Sequence, residues 1–188
     1  MLKEFKPTIL FLVKFGLIFG VGSFLYGKML DSYQGAETPA PDPVTVWVSE
    51  HTKASLEFFG IPTILDQREG SPYIPLWLEE KPEIGVQVFE GCNGLNIMIL
   101  FIAFVVAFGL DKRAYWFIPL GLLSIHLFNI LRIVALILIQ EISMEGFHLF
   151  HKYVFTAIIY AFVLGLWVLW ARGGKGSKGG KVASQAGQ

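Results

Sequence analysis

Cys92 is the only cysteine in a chain of 188 residues. It stands where the polar stretch Val86-Gln87-Val88-Phe89-Glu90-Gly91 gives way to a long apolar run. A thiol becomes a strong nucleophile once ionised, and a neighbouring imidazole or guanidinium favours the ionised form. Two residues far along the chain offer those groups: Arg132 and His151. Histidine can take a thiol proton and return it to a leaving amine. Arginine keeps its charge when partly buried and can face a developing oxyanion. Asn129 lies one helical turn before Arg132, as His148 does before His151. The amide of Asn129 is suited to orienting Arg132 or His151, or to donating to the oxyanion itself. Glu90 either tunes Cys92 or His151 or marks the water boundary. Each group also has a quieter reading: a packing or acylated cysteine, an arginine holding carbonyls or a lipid headgroup, and His148 in a solvent loop.

These residues can meet only if the intervening elements bring them together. The chain is 54% hydrophobic and 16% charged, against about 25% charged in soluble domains. Its apolar residues are gathered in uninterrupted runs, which is the signature of membrane spans. Four spans are expected, at about 7–26, 92–110, 114–139 and 147–171. The first carries Lys14 within reach of an interface. The fold class expected is therefore an all-α membrane protein, a four-transmembrane-helix bundle in one membrane domain over residues 1–172. The Gly-, Ser- and Lys-rich tail 173–188 reads as disordered.

Basic residues flank the N-terminus (Lys3, Lys6), the turn Asp111-Lys112-Arg113 and the tail, while Gln140–Gly146 holds Glu141 and Glu145 without Lys or Arg. The positive-inside rule then puts both termini in the cytoplasm and the 27–91 loop outside. Within that loop Asp42-Pro43 opens a helix, as an N-cap followed by proline in the first turn. Val44, Trp47, Val48, His51, Ser55, Phe58 and Phe59 give it an aromatic face, and Gly60 ends it. Ile61–Asp66, Tyr73–Leu78 and Ile84–Phe89 read as extended segments or a small hairpin.

Depth gives the chemistry its place. At about 1.5 Å per residue, His151 lies roughly 6 Å below the outer boundary and Arg132 roughly 10 Å, with Cys92 at the surface. Because helical side chains lean toward the N-terminus, Arg132 has to curl back outward to join them. His126 lies near mid-membrane and reads as a hydrogen-bonded core residue; His51 belongs to the loop helix. A paired-histidine haem or quinone site from His126 and His151 would need them at one depth, which they are not. No nucleic-acid motif is present, and a single cysteine rules out an internal disulfide or a multi-cysteine metal centre.

With these residues in order, the chain resembles the exosortase/archaeosortase family of integral membrane cysteine transpeptidases, over about Phe58 to Phe162. Gly60-Ile61-Pro62 and Val86–Glu90 look like the family's lead-in to its nucleophile. Cys92-Asn93-Gly94 stands where Cys-Ser-Gly is usual, Asn129-Ile130-Leu131-Arg132 matches Asn-x-x-Arg, and His151 matches the family histidine. Asn93 replaces the common small hydroxyl, Phe155 stands where a glycine is frequent, and the spans are fewer than in many members, as in a compact bacterial branch. The resemblance implies a Cys92 thioester, with His151 as acid/base and Arg132 as oxyanion or carboxylate partner, and no metal or cofactor. The implied partners are membrane lipids and exported proteins that carry a C-terminal transmembrane sorting signal. Cleavage would take place at the outer face of a bacterial plasma membrane. The competing reading from another class is a non-enzymatic assembly or lipid-binding membrane protein.

Overall fold

The computed structural model describes residues 2–173; the expectation of a disordered tail falls on 174–188, outside that range. The chain is mostly helical, and three of its helices are long and apolar enough to cross a membrane. The first, α1 (Leu2–Gln34), continues two turns past the Tyr26 expected to end it. Gly27 does not break it: Lys28 pairs with Asp31 at 3.3 Å and Ser32 caps the Met29 carbonyl at 2.6 Å, both local helical contacts. The extra length matters, because it carries Gln34 to the polar turn before Cys92.

Next comes α2 (Pro43–Phe58), capped by the Asp42 carboxylate, which accepts from the Val44 and Thr45 main-chain N–H groups. Its buried face is rich in hydroxyls. Thr45, Val48, Ser49, Thr52 and Leu56 are inside, whereas Trp47, Phe58 and Phe59 are exposed. Burying hydroxyls is tolerable here because Ser49 and Thr52 donate to the carbonyls of Thr45 and Val48 (both 2.8 Å), so no donor is stranded. Phe58 and Phe59 face outward, while Trp47 packs one side of its ring on His126.

The extended runs form a three-stranded antiparallel sheet rather than a lone hairpin: β1 (Thr63–Leu65), β2 (Ile74–Leu78) and β3 (Lys81–Val88), in that order. Alternation sends Ile74, Leu76, Leu78, Ile84 and Val88 to one face, where they are buried with Val48 and Leu56 of α2. The bulge at Trp77/Leu78 brings the strands so close that a Cβ on Gly85 would lie 2.3 Å from the Leu76 carbonyl oxygen. Only glycine fits there.

The sheet packs on the fourth helix, not on solvent. α3 (Leu95–Phe108) and α4 (Ala114–Ile142) are joined by the Asp111-Lys112-Arg113 turn. Ile130, Ile133, Val134 and Ile137 of α4 complete the core under the strands. At 14 residues α3 rises only about 21 Å, short of a hydrocarbon core of about 30 Å. It is the one expected span that falls below the length of the others. A second core, from Phe101, Val105, Ile125, Val163 and Trp170, joins α3 and α4 to α6 (Phe155–Gly173). Between α4 and α6 lie the short α5 (Met144–Leu149) and a π turn, Phe150–Val154. Where Gly121 of α4 meets Phe101, a Cβ would come within 2.3 Å of the ring, which explains how closely α3 and α4 approach.

Candidate active site at Cys92

Cys92 lies in the turn ahead of α3, and its neighbours fix that turn from three directions. Asn93 is fully buried. Its Oδ1 accepts the Leu95 main-chain N–H at 3.0 Å, opening α3, while its Nδ2 donates to the Tyr26 hydroxyl at 2.8 Å and the Thr45 Oγ1 at 3.2 Å. Thr45 in turn donates to the Asp42 carboxylate at 2.5 Å. One amide therefore ties α1 and α2 to the Cys92 turn. An amide is the side chain that can do this, since it donates and accepts at once.

Gly94 completes the turn with φ +79°, a left-handed conformation that a Cβ disfavours. A Cβ there would also sit 3.3 Å from the Asn129 Cγ. Glu90, on the other side of Cys92, accepts from the Gln34 amide at 3.1 Å, which anchors the turn to the end of α1. Burial raises the Cys92 thiol pKa, and the Glu90 charge adds to that rise.

Asn129 does not orient Arg132 or His151. It donates through Nδ2 to the Cys92 carbonyl at 2.8 Å, and so holds the backbone at Cys92. Its position on a buried face of α4, with no exposure, leaves it no route to a substrate oxyanion.

The thiol faces a cavity of about 120 Å³ lined by Val86–Phe89, Arg132, Leu136, Phe147 and His151. The Cys92 Sγ lies 4.0 Å from the His151 Nε2. His151 sits inside the π turn, where the Phe155 N–H reaches back to the Phe150 carbonyl. Such wide turns allow a side chain to be aimed where a regular helix would not put it. Phe147, one turn earlier, stacks on the imidazole at 5.7 Å and 9°. His148 is exposed and takes no part in the cavity. Phe147, Tyr26, Thr45 and Gln34 were missed in the sequence; only the tertiary contacts mark them.

Arg132 reaches the same cavity, so its side chain does turn toward the thiol. Among the described residues it is in no ion pair, and its buried Nε has no hydrogen-bond partner. A guanidinium so placed keeps its donors available for a bound group. Burial pushes the Cys92 thiol pKa up, and the Arg132 charge works against that rise. His126 is not turned toward His151: its Nε2 meets the His51 Nδ1 at 3.2 Å and Trp47 stacks on it at 4.0 Å.

A family model described as Transmembrane exosortase (Exosortase_EpsH) matches residues 9–171. The chain belongs to the transmembrane exosortase family. That is a family of membrane cysteine transpeptidases. Neither a curated protein nor a solved structure matches this chain. The match covers α1 through α6, and with them every part of the site just described.

Proposed function

We propose that this exosortase cleaves exported proteins at a C-terminal sorting signal and passes the new carboxyl end to an acceptor through a Cys92 thioester. The 4.0 Å approach of the Cys92 Sγ to the His151 Nε2, inside a cavity that also holds Arg132, carries this reading. In the first step His151 takes the thiol proton as the sulfur attacks the scissile carbonyl carbon. The tetrahedral oxyanion develops beside the Arg132 guanidinium, in a site walled by Phe147, Leu136 and Val88, where such a charge pairing is stronger than in water. Collapse breaks the C–N bond, and His151 gives its proton to the leaving amine. The acyl group stays on sulfur until an amine or water attacks the thioester and frees the thiol.

The same reading places the site at the outer face of a bacterial plasma membrane, with both termini inside and α3 as the fourth crossing. The released fragment carries the substrate's transmembrane helix. Mass spectrometry of exported proteins with a C-terminal helix, in cells with native protein or Cys92→Ala, tests the proposal. Shortened C-termini should be lost with the thiol; processing that persists in Cys92→Ala overturns it.

A further inference from the structure

The cavity is bordered by β3, and β3 is an edge strand. Its register decides which of its main-chain groups are free. Pro75 of β2 turns its carbonyl to β1, where it accepts the Asp66 N–H at 3.1 Å. Neighbouring residues in a strand alternate sides, so Ile74 and Leu76 bond to Val88 and Val86 of β3. Gly85 and Gln87 therefore point their N–H and C=O groups away from the sheet. Gly85 confirms it: its N–H donates outward to the Gln140 Oε1 at 3.0 Å. Further back, the Lys81 side chain pairs with Glu141, which draws the end of α4 alongside the start of the strand. Gln87 is exposed and has no such cover. The Gln87 N–H and C=O are thus open on the edge, five residues before Cys92 and beside its cavity.

We propose that the peptide to be cut docks as an extra strand on the free edge of β3, running parallel to it and anchored by the main chain of Gln87. This rests on the peptide-cleaving reading above and adds how the substrate is held. Direction follows from the fold. From Lys81 to Cys92, β3 and the turn descend along α4, from Glu141 at its end to Asn129 in its body. A substrate whose transmembrane helix follows its cleavage site must descend the same way, with the residues before the scissile bond beside Gln87. In a parallel pair, Gln87 bonds to two substrate residues, one accepting from its N–H and one donating to its C=O. Strand addition gives affinity through main chain and leaves specificity to alternate side chains. One set of those faces the thiol cavity; the other faces the outer groove of Arg68, Trp77 and Glu83.

The test uses the full chain in nanodiscs and two electrophiles: iodoacetamide, which needs no docking, and a tri-alanyl chloromethyl ketone, which alkylates sulfur with loss of chloride. Labelling of Cys92 by the peptidyl reagent should saturate. Gln87→Pro, which deletes the free N–H on an edge that tolerates proline, should cut its efficiency about tenfold. Gln87→Ala, which keeps the main-chain N–H, should cut it less, and Gln87→Pro should slow iodoacetamide far less than it slows the peptidyl reagent. N-methylating the reagent's amides should weaken labelling of the native chain to a similar degree, with no change to the protein. Peptidyl labelling that does not saturate, or that ignores both Gln87→Pro and N-methylation, overturns edge docking while leaving the nucleophile intact. Failure of both reagents to label Cys92 overturns the nucleophile reading itself, and edge docking with it.

Discussion

The side-chain amide of Asn129 donates to the main-chain carbonyl of Cys92 at 2.8 Å. The Cys92 backbone is thus held by the same helix that, one turn later, supplies Arg132, so one element positions both residues at the cavity. Asn129→Ala should leave the Cys92 carbonyl without its donor, at a cost of about 1–3 kcal/mol. Cleavage should fall at least about tenfold as the Sγ–Nε2 alignment is lost. Single-turnover rates together with thermal unfolding would separate the two effects, and native turnover in Asn129→Ala would count against the positioning role.

Gly94→Ala tests the backbone of the same turn. At φ +79° an alanine costs about 1–2 kcal/mol, and its Cβ meets the Asn129 side chain. Gly16→Ala is the natural comparison, since a Cβ there touches nothing and the residue lies within α1. Helix propensity makes that change stabilising or neutral. Melting curves in detergent should rank Gly94→Ala below the native chain and Gly16→Ala at or above it.

The thiol's environment predicts a pH profile. Because burial raises the Cys92 pKa, the rate of iodoacetamide alkylation should reach its midpoint at a higher pH than for a free cysteine. Arg132 favours the thiolate, so Arg132→Gln should move the midpoint further up. Glu90 disfavours it, so Glu90→Gln should move it down. Shifts in the opposite directions would mean that these charges do not act on the sulfur.

Asn93 predicts a graded series. Tyr26→Phe removes one acceptor of its amide but leaves Thr45, a loss of about 1 kcal/mol. Asn93→Ser keeps an acceptor for the Leu95 N–H but cannot reach both helices, and should lose more. Asn93→Leu strands the Tyr26 hydroxyl and the Leu95 N–H and leaves Thr45 only its bond to Asp42, and should be the most damaging. Unfolding midpoints in that order are the expected result; a flat series would remove Asn93 from the scaffold.

Much of this protein was legible in one dimension because the membrane makes sequence speak plainly. A polar group in an apolar span is costly, so Arg132, Asn129 and His151 stood out by their surroundings alone. Asp42-Pro43 announced the start of α2 because an N-cap is a local interaction, and the apolar runs marked α1, α4 and α6 by composition. What depended on contacts between distant segments was decided only in three dimensions. The buried face of α2 turned to Thr45, Ser49 and Thr52, since α4 and the sheet pack on that side, where Thr45 meets Asn93 and the other two hydroxyls close on their own helix. Asn129 went to the Cys92 carbonyl rather than to Arg132, because a turn 37 residues away presented an orphan acceptor. The π turn that aims His151 and the free edge at Gln87 left no trace in composition. Both are matters of register, and register is set by what packs alongside.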